Sequence, residues 1–180
     1  HAIIWGVAYC LLFWLLELPE YIPLAAVLAV VGMVFLPWNI PRARMFLGDS
    51  GSYLIGGALG SLALLGLLAA APIAALCPLA IYAADTGAAV TRRLRAGEKL
   101  TQAHNTHVFQ QLVAIGWSHS RTAATTAGFT ALTAGLGILS LGRTTLIQGL
   151  VLVLVLLICT VYLQLPRSLK IYRARTIEGD

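Results

Sequence analysis

The sequence predicts an all-α protein, a polytopic transmembrane helix bundle of about six spans with functional loops on one side. Three observations predict it. Of 180 residues, 59% are hydrophobic and 11% charged, whereas an ordinary soluble domain is about 25% charged. Mean hydropathy is +0.85, and the apolar residues come in runs near the roughly 17–25 residues that a membrane-crossing helix needs. The basic residues, finally, concentrate in alternate connections between those runs.

In chain order, spans 2–16 and 22–37 flank the acidic stretch "ELPEY", and the second is short. Spans 53–71 and 73–91 are divided by "AAP". The latter carries Pro78, tolerable in a bundle whose neighbouring helices satisfy the carbonyl it frees. Spans 122–141 and 145–165 are joined by "LGRTT". Arg42 and Arg44 follow the second span, Arg92, Arg93, Arg95, Lys99 and Arg121 the fourth, and Arg167, Lys170, Arg173 and Arg175 the sixth. Of the 12 Lys and Arg only Arg143 lies on the other side, where Glu17 and Glu20 also sit. By the positive-inside rule, about 38–52, 92–121 and 166–180 are cytoplasmic, as is the start of the chain.

The net charge of +5 and pI near 9.5 are therefore a topology signal first, with anionic lipid or phosphate as a second use, and not the mark of a nucleic-acid binder. Cys10, Cys77 and Cys159 lie in apolar segments without CxxC spacing and are small core residues, neither disulfides nor a metal site. The chain opens on His1 without a basic leader, which argues against a signal peptide and predicts a single membrane domain, 1–180, that begins partway through a longer protein.

The most polar interruption is "NIPRARMFLGDSGSYLIGG", residues 39–57. Asp49, Ser50 and Ser52 ahead of an apolar run could simply cap a helix. Capping leaves Gly48 and the upstream arginines unexplained. A glycine-flanked carboxylate at a helix start suits a metal–phosphate site: backbone approaches closely, amides face phosphate, and the acid offers oxygen to Mg²⁺. Gly48-Asp49-Ser50-Gly51 also fits the Gly-x-Ser-Gly of rhomboid-type proteases. That reading needs a base histidine inside a later span, and His104, His107 and His119 all fall in the polar loop.

Asp85 is an ionisable group within an apolar helix, by default functional or paired. Arg92, seven residues on, offers a structural ion pair. His104 and His107, at i and i+3, lack a third ligand for zinc. Beside Arg92, Arg93, Arg95 and Lys99 they suit phosphate oxygens better, or are plain loop residues. His119 marks a helix boundary, and Gly56, Gly57 and Gly60 suggest close helix packing.

"N-x-P-x-x-x-x-F-x-G-D-S-G-S", Asn39 to Ser52, resembles a cytoplasmic motif of the polyprenyl-phosphate N-acetylhexosamine-1-phosphate transferases, the MraY, WecA and TagO family. "DTGAAVTRRLRAGEKLTQAHNTHVFQQL", Asp85 to Leu112, resembles their next cytoplasmic loop. The resemblance implies transfer of a sugar 1-phosphate from a UDP-N-acetylhexosamine to polyprenyl (usually undecaprenyl) phosphate, with release of UMP. It implies a multi-pass protein of the bacterial inner membrane with a cytoplasmic site, starting lipid-linked glycans of cell-wall or O-antigen type, and it allows a homodimer. Mg²⁺ is the implied cofactor, or Mn²⁺ in its stead, held by Asp49.

His104 and His107 match histidines near the diphosphate, Phe46 an aromatic on the uracil ring, and Gly48, Ser50, Gly51 and Ser52 the turn around metal and phosphate. Asn39, Asp85, Arg92 and Arg93 also match the family's substrate-binding pattern. The loop "AHNTHVFQ" departs from the triple-His of MraY and the His-x-His-His of WecA, which argues against the peptidoglycan precursor as substrate. The family's Asp-Asp pair and its Asn-rich motif ending Asp-Gly have no counterpart in these 180 residues, so the chain by itself is expected to be inactive. A non-catalytic membrane scaffold of the same fold is the alternative.

Overall fold

The computed structural model describes residues 1–40, 44–97 and 107–178, and these are helical wherever they are regular. Eight helices follow one another: α1 (Ala2–Leu15), α2 (Ile22–Phe35), α3 (Gly48–Leu68), α4 (Pro72–Leu76), α5 (Ala80–Ala96), α6 (Val108–Ala114), α7 (His119–Leu139) and α8 (Thr145–Glu178). Short 3₁₀ turns lead into α2, extend it to Trp38 and join α4 to α5. Among the described residues, five apolar stretches are long enough to cross a membrane: Pro19–Trp38, Gly48–Leu68, Pro72–Ala96, His119–Leu139 and Thr145–Lys170. Ala2–Leu15 is equally apolar but shorter, about 21 Å at 1.5 Å per residue. The sixth expected span, 2–16, is present as this helix.

The interruption at Pro78 is built into the core. Proline removes an amide donor and bends the helix, and inside a bilayer the freed carbonyls must find other partners. Two side chains of α1 donate to carbonyls at this junction: Tyr9 Oη to Ala75 O at 2.7 Å, and Trp5 Nε1 to Pro78 O at 2.8 Å. Around this junction one apolar cluster joins α1, α2, α3 and α4 through Tyr9, Leu12, Phe13 and Leu62, all essentially unexposed. A second joins α5, α6, α7 and α8 through Ile81, Val108, Leu112, Val155 and Tyr162.

Helices approach most closely where glycine leaves room. A Cβ on Gly137 would stand 2.6 Å from Cys77 Cβ, and one on Gly66 2.7 Å from Ala75 Cβ. The glycines expected to mediate packing are different ones. Gly56, Gly57 and Gly60 have nothing within 4 Å of a Cβ position, so they form an open face of α3. Glycine content alone does not say which face meets a neighbour.

Three boundaries also differ from expectation. α3 begins at Gly48 and not at 53, because the polar turn continues straight into the apolar run. α5 continues to Ala96, where Gly97 in left-handed conformation (φ 68°) ends it. The expected loop 92–121 therefore includes a helical turn, and further on it folds α6 into the core through Val108 and Leu112. α8 runs on through Pro166 to Glu178 in place of ending at 165.

The turns at Leu16, Ala70–Ala71 and Ser140–Gly142 line a common cleft of about 280 Å³, so they share one end of the bundle. Chain direction then puts Gly48, Ala96 and His119 at the opposite end, together with Arg44, Arg92, Arg93, Arg95 and Arg121. A neighbouring cleft of about 440 Å³, lined by Leu15, Ile138 and Arg143 among others, also opens at the turn end, away from the motifs.

Candidate functional site

The site is built from two pieces. The first is the start of α3. Asn39 closes the preceding helix: its Nδ2 donates to Phe35 O at 3.1 Å and its backbone amide to Leu36 O at 2.9 Å. Arg44 N donates to Trp38 O at 3.0 Å, drawing the strand of chain back towards that end. Phe46 then stands out almost fully exposed, at 88%.

At Gly48 the backbone takes φ +67°, a left-handed conformation that costs a side-chain-bearing residue roughly 1–2 kcal/mol. Gly51 leaves room for a neighbouring side chain. A Cβ there would meet Leu47 Cγ at 2.6 Å, since Leu47 folds over the bare backbone. Asp49 lies in the first turn, and no side chain caps the helix. Ser52 Oγ donates to Gly48 O at 2.8 Å. Asp49 and Ser50 are both exposed. The result is a helix start whose free amides and one carboxylate face outward, a setting that attracts phosphate and a hydrated divalent cation.

The second piece joins α5 to α6. Asp85 is 6% exposed. Its Oδ1 accepts the amide of Val108, the first residue of α6, at 2.9 Å. Its Oδ2 lies 3.3 Å from His107 Nδ1. The His107 backbone amide in turn donates to Gln110 Oε1 at 3.1 Å, and its ring stacks on Phe109 with centroids 5.6 Å apart and planes 17° apart. The buried Tyr162 of α8 shares the apolar cluster of Val108. Asp85 thus sits eleven residues before the end of α5, or about 16 Å at 1.5 Å per residue, deeper than the roughly 9 Å that the shorter expected span implied. Depth explains its partners: a carboxylate away from water needs donors, and α6 folds inward to bring them.

Arg92 and Arg93 lie half-buried on the last turns of α5. His119 is the exposed first residue of α7, after Ser118, whose Oγ accepts the Arg121 amide at 3.2 Å. Arg42 and His104 lie outside the described residues. Within them, Asp85 and His107 are brought together, while α3 packs chiefly on α1, α2 and α4. No group of three His, Cys, Asp or Glu gathers among the described residues. The buried Asp85–His107–Val108 linkage is what local sequence did not reveal; an apolar pattern at Val108 and Leu112 was its only trace.

Comparison with known proteins agrees with the motif. Residues 1–67, which include all of Asn39–Ser52, match the sequence model of Glycosyl transferase family 4. Decaprenyl-phosphate N-acetylglucosaminephosphotransferase of Mycolicibacterium smegmatis is 37% identical over 116 residues, 54% of this chain and 28% of that protein. Phospho-N-acetylmuramoyl-pentapeptide-transferase of a Caulobacter species is 49% identical over 51 residues, 24% of this chain and 14% of the relative. The probable undecaprenyl-phosphate N-acetylglucosaminyl 1-phosphate transferase of Bacillus subtilis is 32% identical over 89 residues, 47% and 25% respectively. The chain thus spans well under half the length of these relatives. No solved structure matches it. Residues 1–67 of this multi-pass membrane chain are thus similar to glycosyl transferase family 4, and about half of the chain is similar to bacterial polyprenyl-phosphate N-acetylhexosamine-1-phosphate transferases.

Proposed function

We propose that the protein transfers an N-acetylhexosamine 1-phosphate from a UDP-sugar to polyprenyl phosphate at the cytoplasmic face of a bacterial plasma membrane. An oxygen of the lipid phosphate attacks the β-phosphorus of the UDP-sugar. The bond from that phosphorus to the bridging oxygen breaks, and UMP leaves with that oxygen. The lipid-linked diphosphate sugar so formed would start a cell-wall or O-antigen type glycan.

The observation that carries this reading is the start of α3. There an exposed carboxylate, Asp49, stands in the first turn of a spanning helix, between a glycine held by its backbone angle and one held by its packing. Asp49 is the residue that would hold Mg²⁺. That ion binds through one or two carboxylates plus substrate phosphates and retains water, which a single exposed carboxylate fits. When bound, it supplies charge neutralisation for the diphosphate. The free amides of the α3 start orient a phosphate, Phe46 offers an exposed ring for the uracil, and His107, Arg92 and Arg93 provide donors from α5 and α6. His104 belongs to the same proposed set. Catalysis in such a site is positioning plus electrostatics.

The test is UMP release from UDP-N-acetylglucosamine and undecaprenyl phosphate by the full-length gene product in proteoliposomes. Asp49→Asn keeps the size and removes the charge, and is expected to lower the rate at least ~100-fold, as loss of a key electrostatic group does. A wild-type rate in Asp49→Asn would refute the metal role. Absence of UMP release with every UDP-N-acetylhexosamine tried would refute the function.

A further inference from the structure

α8 does not stop where a bilayer would end. Counted from Thr145, a hydrocarbon core of roughly 30 Å is crossed after about 20 residues at 1.5 Å per residue, close to Leu165. The helix nevertheless continues through Pro166 to Glu178. On the membrane side of that point Leu156, Leu157 and Val161 are more than half exposed, as lipid-facing residues are. Just beyond it Arg167 and Lys170 are exposed, at the depth of the lipid headgroups. The inward side of the same turns is packed, with Leu165 and Leu169 set against the apolar cluster that also takes in Trp117.

The start of α7 adds a third cation. The guanidinium carbon of the exposed Arg121 lies 3.9 Å from the centre of the half-buried Trp117 ring. Tryptophan settles at the membrane–water interface, and a guanidinium stacked on it keeps its N–H groups directed outward in its own plane. Among the described residues, Arg121, Arg167 and Lys170 are not paired with a carboxylate.

We propose that this end of α7 and α8 binds the headgroup of an anionic phospholipid of the surrounding leaflet. Its phosphate oxygens accept from Arg121, Arg167 and Lys170, and its acyl chains lie along Leu156, Leu157 and Val161. A soluble phosphate would meet the same cations but gain nothing from that apolar strip, so the lipid is the occupant. The backbone of α8 carries the chain on through Arg173 and Arg175, which adds positive charge near the headgroup layer. The site is independent of the transfer reaction.

Native mass spectrometry of the full-length gene product, released from micelles with equimolar phosphatidylglycerol and phosphatidylcholine, reads the preference directly. A basic residue near an anionic surface contributes roughly fivefold to binding, so the wild type is expected to retain phosphatidylglycerol over phosphatidylcholine by at least ~10-fold. Arg167→Gln combined with Lys170→Gln should lower that preference ~10-fold or more, and Arg121→Gln ~5-fold. Arg167→Lys, which keeps the charge, and Arg143→Gln, at the other end of the bundle, should leave it unchanged. In nanodiscs the wild type should also melt at a higher temperature with phosphatidylglycerol present than in phosphatidylcholine alone, because a ligand of the native state stabilises it. The double variant should lose that difference.

Equal retention of the two lipids by the wild type would overturn the proposal. So would an undiminished preference in the double variant, or an equal loss in Arg143→Gln. Displacement of the bound lipid by millimolar inorganic phosphate would overturn it as well, since the site would then belong to a soluble anion.

Discussion

Replacing Tyr9 by Phe removes one hydroxyl and nothing else, and it tests how the break in the Pro72–Ala96 span is held. Tyr9 is wholly buried, and its Oη reaches Ala75 O at 2.7 Å, three residues before Pro78. Were the helix regular, Ala75 O would accept the Leu79 amide. A 3₁₀ turn at Cys77–Leu79 disturbs that ladder, and the apolar surroundings offer no water as substitute. Leaving a buried carbonyl unpaired costs about 1–3 kcal/mol. Side-chain hydrogen bonds between membrane helices average only about 0.6 and reach about 1.7 kcal/mol, because competing partners exist.

A broken helix has fewer such partners, so Tyr9→Phe is expected near the upper part of the membrane range, about 1.5 kcal/mol. Reversible unfolding in mixed micelles would measure it. Pro78→Ala supplies the internal control. By letting the helix regularise it should reduce the cost of Tyr9→Phe, giving a coupling of about 1 kcal/mol in a double-mutant cycle. A cost below about 0.3 kcal/mol for Tyr9→Phe, in the Pro78 protein, would refute the claim that α1 satisfies the break.

Two further predictions concern backbone and close approach. Gly137→Ala places a methyl 2.6 Å from Cys77 Cβ and 3.2 Å from Ile73 O. It is expected to destabilise by about 1–3 kcal/mol, as overpacking does, whereas Gly57→Ala, with open space around it, should cost nothing; the same unfolding assay compares them. Ala70 adopts φ 56° at the end of α3, where the Ala71 amide closes back on Gly66 O at 3.1 Å. Ala70→Gly should therefore raise stability by up to about 1 kcal/mol, seen as a higher thermal midpoint.

How much of this molecule was legible in advance depends on the range of the interaction. Hydropathy summed along the chain determined that it is a helical membrane protein, because the bilayer demands about 20 apolar residues per span and satisfied backbone within each. Alternation of basic residues determined which connections share a face. The spacing within Asn39–Ser52 marked the α3 start, since glycines and a carboxylate at a helix terminus act through neighbours in sequence. Pro78 announced a break, though not that Trp5 and Tyr9 would answer it.

Tertiary structure alone decided the rest. Asp85 and Val108 are 23 residues apart, and nothing local requires them to meet. The meeting follows from burial: a carboxylate drawn into the core needs donors, and the α6 residues Val108 and Leu112 bury apolar surface by bringing one there. The same logic assigns close packing to Gly66 and Gly137 while leaving Gly56, Gly57 and Gly60 open. Composition decides what a helix can bury, but only the positions of its neighbours decide what it does bury.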